Sequence, residues 1–389
     1  MKKIGIMVSL LVLVIVSIVY FYRSAQTMSL PTYFDYSPEE LASLKGLNSN
    51  QSMTEASLNK WDKLMFALVK SNKLGDAPAS KVYAYVYTAQ RDAAYISYNA
   101  KHSFKGNLDV ISAKVLCLFF EKDCSTILFQ THSDPYSEKI ADLVLSKIKN
   151  RLAVDKKREK LSEEKKGSLF WRGDSPYFGQ EVGSWKTWII HSPTQYVAKP
   201  PPAPDSKEWQ NQLKQTQDAL KKISPEQIKE VVFWAGNPST ITPPGIWIKF
   251  ANEYMENKQV SFPKMLFIRS VLAMGIADEV INLFYSKYTY WIKRPYMLNP
   301  AIKTVMPTPN HPSYPAGHSG ISATAAVILS YYFPENKKIW WDKAHEASSS
   351  RVWGGIHFPI DGKEGLVTGQ RVGEAVISAQ PELNSLGIK

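Results

Sequence analysis

Cysteine is nearly absent from this chain, with only Cys117 and Cys124 among 389 residues. Neither their number nor their spacing supports a metal site; in the segment VLCLFFEKDCST they form either one local disulfide or two buried thiols. Long apolar runs are equally scarce. After Ile4 to Tyr22 no segment is long and uncharged enough to span a bilayer, which excludes a polytopic membrane protein. A sustained alternation of apolar and polar residues is missing, and so is any internal repeat, which leaves an all-α chain. Basic residues are not interleaved with aromatic ones as base stacking requires, and no recognised nucleic-acid-binding motif occurs. The formal charge of +12 therefore does not point to nucleic acid.

What is present is enough apolar residue, 44% of the chain, to bury one large core or two ordinary ones. At the amino terminus Lys2 and Lys3 precede Ile4 to Tyr22, and Arg23 follows, the layout of an export signal or a single anchor. The expectation is a membrane anchor over residues 1–28, with the amino terminus cytoplasmic and the body exported; cleavage near Ser24-Ala25-Gln26 would make the protein secreted instead. A helical region over 29–198 follows, then a stiff Pro-rich connector, KPPPAP, at 199–204, and a second helical region over 205–389.

Ser37-Pro-Glu-Glu reads as a helix cap. Helical spacing is found in 59–70, 80–98, 108–120, 225–234, 247–257, 263–288 and 319–333. The Lys-, Arg- and Glu-rich stretch 147–166 mixes both charge signs, as a solvated helical face does.

Chemistry concentrates in three late segments. In KYTYWIKRP, Lys287 and Arg294 are seven positions apart, hence two turns apart on one side if the stretch is helical; ammonium and guanidinium suit tetrahedral oxyanions. In HPSYPAGHS, prolines stiffen the approach to an apolar helix. Gly317 bares the amides at its start as an anion cradle, and His318 stands beside them as an acid or base. In SRVWGGIHFPID, Arg351 adds a third cation. Asp361, four residues after His357, can hold one imidazole nitrogen and leave the other free as a nucleophile. Each segment alone is commonplace; the conjunction is specific.

Lys-x6-Arg-Pro, then Pro-x-Gly-His, then Ser-Arg-x5-His-x3-Asp resembles the signature of the type 2 phosphatidic acid phosphatase and vanadium-dependent haloperoxidase superfamily. The resemblance is strongest from 233 to 376, where WAGNPSTITPPGIW looks like the lead-in of soluble haloperoxidase-like members. It implies a helical bundle of the vanadium haloperoxidase and acid phosphatase type. Lys287, Arg294, Gly317 and Arg351 would hold phosphate or vanadate, His357 would bond to phosphorus or vanadium, Asp361 would orient it, and His318 would move protons. Where the family usually has Ser this chain has Ala316, one hydroxyl donor fewer.

Two chemistries follow. A haloperoxidase would use vanadate as cofactor, with halide and hydrogen peroxide as substrates. A phosphatase would need no cofactor and would cleave a phosphate ester through a phosphohistidine. A phosphate-binding membrane-tethered protein without activity is a third possibility. His311, seven before His318, resembles the histidine of bromide-type haloperoxidases and would tune the site. The single anchor and soluble body also resemble that branch.

Overall fold

The computed structural model describes residues 29–155, 163–203, 205–236 and 239–383. The apolar run expected to anchor the chain, the charged residues 156–162 and Pro204 of the connector lie outside the described residues. Helix is the only regular element among the described residues, beside two isolated bridges, Ser52 with Lys105 and Phe170 with Ile292. The all-α expectation holds. No described helix is long and apolar enough to cross a membrane.

In chain order the helices are α1 (Pro38–Ala42), α2 (Glu55–Ser71), α3 (Asp76–Lys101), α4 (Asp109–Cys117), α5 (Cys124–Phe129), α6 (Pro135–Asp155), α7 (Lys207–Lys221), α8 (Pro225–Phe233), α9 (Thr242–Asn257), α10 (Phe262–Tyr290), α11 (Pro295–Leu298), α12 (Gly317–Tyr332), α13 (Lys337–Trp353) and α14 (Pro359–Ser378). Helix α1 starts as expected, with a reciprocal capping box between Ser37 and Glu40. Cys117 and Cys124 are bonded to each other, which decides between the two readings of that segment.

Two central helices, α3 and α10, pack along each other, and α10 also packs on α9, α12 and α14. Helix α3 is buried almost all round because its tyrosines carry their own satisfaction. Tyr83 donates to the carbonyl of Ile241, Tyr85 to Asp155, Tyr87 to Asp62 and Tyr95 to the carbonyl of Pro263. Each ring therefore adds apolar area without stranding its hydroxyl. One core cluster runs from Leu30 to Val376 and includes residues from both halves of the chain.

Helix α14 lies against α12 on a stripe of glycines. A Cβ at Gly365 would come within 2.5 Å of the Ala316 carbonyl, and one at Gly369 would overlap the backbone of Gly320. The close approach of these two helices brings the start of α12 beside the start of α14, where the signature histidines stand. The charged stretch from 147 is less solvated than its composition suggests. Arg151 and Asp155 are buried, and Arg151 donates to the carbonyls of Lys186 and Thr187 while its guanidinium lies 3.7 Å from the Trp188 ring.

Candidate active site

Lys287 sits in the last turn of α10, and the helix stops at Trp291, whose φ of 56° is left-handed. The chain turns there, so Arg294 stands outside the helix as the extended residue before α11. Helical spacing is thus not what brings Lys287 and Arg294 to one place, contrary to the two-turn expectation; the reversal at Trp291 does so. The fully buried Lys287 ammonium donates to the carbonyls of Pro312, Ser313 and Pro315 at 3.1, 2.7 and 2.5 Å. The proline-rich segment wraps this cation with carbonyls, which is a second reason for its stiffness.

Arg294 donates through Nε to the His311 carbonyl at 3.1 Å and through Nη1 to the Ile356 carbonyl at 2.8 Å; Nη1 also lies 3.3 Å from His357 Nε2. Its Nη2 is 3.3 Å from His311 Nδ1. Arg351 donates to the Val231 carbonyl at the end of α8 and contacts Met306 Sδ, each at 2.9 Å. Among the described residues no carboxylate forms an ion pair with any of these three cations. Burial pulls Arg294 down to about 10 and Arg351 to about 9. Lys287 falls well below its usual value, first through burial and then through the charge of Arg294. Three buried basic groups that no described carboxylate bonds, with Asp76 and Asp361 attracting them only at longer range, favour an anion in the cavity.

The histidines have fixed tautomers. His357 Nδ1 is 2.9 Å from Asp361 Oδ2, so Nδ1 carries the proton and the Nε2 lone pair faces Arg294 and the cavity. Asp361 reaches it from the first turn of α14, where it also accepts the Phe358 amide. His318 Nε2 lies 2.7 Å from the carbonyl of Trp234, an acceptor only, so Nε2 is protonated and Nδ1 is the free base. Burial, and then the charge of Arg351, hold the His318 pKa well below that of a free imidazole. His311 and His357 are likewise depressed by burial among cations.

A cavity of about 360 Å³ is lined by Gly317, His311, His318 and His357 together with Asp76 and Phe178. Lys287, Arg294 and Arg351 stand behind this wall, the two arginines in contact with wall residues. A Cβ at Gly317 would meet nothing within 4 Å, so the amide end of α12 opens onto free space, as the sequence suggests. His311, Gly317, His318 and His357 thus line one cavity, and Arg294 and Arg351 touch its wall through His357, His311 and Met306. Three contributors were not foreseen. The Trp234 carbonyl is a main-chain group that no side-chain pattern reveals; Asp76 comes from α3, far away in sequence; and Ser313 carried no signal beyond its place in HPSYPAGH.

Residues 265–384 match the family model of the PAP2 superfamily. The carboxy-terminal third of the chain thus carries a PAP2 superfamily segment. All signature positions fall within the superfamily segment, whereas Asp76 and Trp234 lie before it. Two solved structures share the wider fold. A bacterial vanadium-dependent iodoperoxidase superposes with a TM-score of 0.73 at 19% identity, covering 86% of this chain and 99% of that one. A holo-type bacterial vanadium-dependent chloroperoxidase gives 0.64 at 13% identity, covering 78% and 92%. The haloperoxidase fold thus extends well beyond the superfamily segment. No curated protein sequence matches the chain.

Proposed function

We propose that this chain is a haloperoxidase-like enzyme of the PAP2 superfamily that oxidises halide with hydrogen peroxide at a vanadate held by His357. The donor set fits such a group. One imidazole lone pair, an open helix-start amide and three unpaired buried cations match the shape and charge of a tetrahedral oxyanion. Bound vanadate would supply Lewis acidity that activates peroxide toward a halide. Lys287, Arg294 and Arg351 would balance its charge from behind the wall, and the Gly317 amide would donate to an oxygen. Asp361 keeps the proton on Nδ1 and so keeps Nε2 free to bind.

The tautomer of His318 supports this reading most. With Nε2–H tied to Trp234, the neutral ring offers Nδ1 as a base, ready to take a proton from incoming hydrogen peroxide. A phosphomonoesterase needs the opposite beginning, a protonated His318 that donates to the leaving alcohol, and burial beside Arg351 works against that form near neutral pH. The hydrolytic reading is favoured by the His357 Nε2 lone pair backed by Asp361, equally suited to attack on phosphorus. His311, on the wall and 3.3 Å from Arg294, is placed to tune the bound group. The lysines and apolar run at the amino terminus support an exported, membrane-anchored body.

The test is a paired assay on purified protein. Bromination of an organic dye with vanadate and peroxide is expected, and hydrolysis of a phosphomonoester without vanadate is expected to be slow. Hydrolysis alone would replace this reading with the phosphatase, while silence in both with phosphate still bound would leave a binding protein. His357→Ala should abolish turnover, and His318→Ala should lower it by about 10²–10⁴.

A further inference from the structure

Ser313 belongs to no part of the signature, yet it meets three signature residues, Lys287, His357 and Asp361. It is fully buried. Its amide donates to the Ile292 carbonyl, two residues before Arg294, at 2.9 Å, and its carbonyl accepts from Lys287 at 2.7 Å. Its hydroxyl donates to Asp361 Oδ2 and lies 3.2 Å from His357 Nδ1. Asp361 Oδ1, by contrast, is buried with no partner. The carboxylate is thus loaded on one side. Oδ2 takes the serine hydroxyl, the histidine N–H and the Phe358 amide, and the serine bond keeps that oxygen turned toward His357.

We propose that Ser313 is a positioning residue. It locks the rotation of the Asp361 carboxylate, and through it the His357 ring, while its carbonyl holds Lys287, so that ligand nitrogen and cation stay in one register. Besides the serine hydroxyl, among the described residues only the Phe358 amide at 3.2 Å holds Asp361 Oδ2 against a swing that would bring Oδ1 into competition for the imidazole proton. The hydroxyl acts through Asp361 and His357 and has no contact with substrate in this role. The inference rests on the oxyanion-site reading above, but not on which reaction the site performs.

The experiment compares Ser313→Ala and Ser313→Thr with the unaltered full-length chain. Three readouts are taken: bromination with vanadate and peroxide, affinity for inorganic phosphate, and the NMR signal of the His357 Nδ1 proton. The alanine variant keeps Lys287 and its carbonyls, so phosphate affinity is expected to change less than about threefold. Turnover should fall about tenfold or more, and the Nδ1 proton signal should broaden through faster exchange. The threonine variant, which restores the hydroxyl, should recover both turnover and signal. Alanine turnover within about twofold of the original with an unchanged proton signal would overturn the proposal. So would a joint loss of phosphate affinity and turnover that threonine does not repair, which marks a packing defect. The NMR signal needs no turnover, so if the chain brominates nothing the proton signal alone decides on Ser313.

Discussion

Ala316 caps α12 in extended conformation, its amide bonded to the Asp361 carbonyl and its small side chain fully buried. A serine hydroxyl there would do two things at once. It could accept from an amide of the first turn, and it could donate to an anion bound at the Gly317 amide. Ala316→Ser is expected to tighten inorganic phosphate by about tenfold or more, since a hydrogen bond to a charged group contributes roughly 1.5 to 3 kcal/mol. It should also raise the melting temperature through roughly 1 kcal/mol of capping. Calorimetric titration reads the first effect, and affinity unchanged within about twofold would mean that the cap side chain does not reach the anion. The signature residues were legible in the sequence because side-chain chemistry and spacing name them. Trp234 and Ser313 were not, because one acts through its carbonyl and the other is a common residue whose meaning depends on which carboxylate it meets.

Where α10, α12 and α14 meet, Glu279 is fully buried. Its Oε1 accepts from Thr368 and lies against Gly320, while its Oε2 accepts from Asn282. Burial pushes its pKa up to about 8, against an ordinary carboxyl value of 4.5. A carboxyl that keeps its proton longer when folded stabilises the fold fully below the unfolded pKa. That contribution is lost as pH rises through the folded one. Stability attributable to this junction should therefore decline between about pH 4.5 and 8. Glu279→Gln removes the titration and can donate to Asn282 Oδ1, which is buried without a partner. The variant should melt close to the original at pH 5 and several degrees higher at pH 9; parallel melting curves at both pH values would refute the assignment. The helices that the sequence displayed best, α3, α10 and α12, are rich in alanine or large apolar residues. Helices α13 and α14 were not legible. Serines crowd the last turns of the first, and four glycines, each unfavourable by about 1 kcal/mol in a helix, stud the second. Only the facing surface of α12, absent from any local window, makes a glycine-rich helix the best arrangement.

At the scale of the molecule, α3 joins two ends with different tasks. Leu30 pairs both ways with Asn99, and the amides of Tyr33 and Phe34 donate to Asp92, so the first described residues lie along the far half of that helix. At its other end Asp76 faces the cavity. From Asp76 to Asn99 the helix measures about 35 Å at 1.5 Å per residue. If residues 4–22 lie in a bilayer, a fluorophore at Lys101 should be quenched by a lipid-borne quencher in vesicles and one at Asn310, on the cavity wall, should not. Equal quenching at both positions would reject this orientation. The helix would then act as a standoff between mooring and mouth. If the proposed halide oxidation takes place at the mouth, its reactive product would emerge into open fluid, remote from the acyl chains it could otherwise damage.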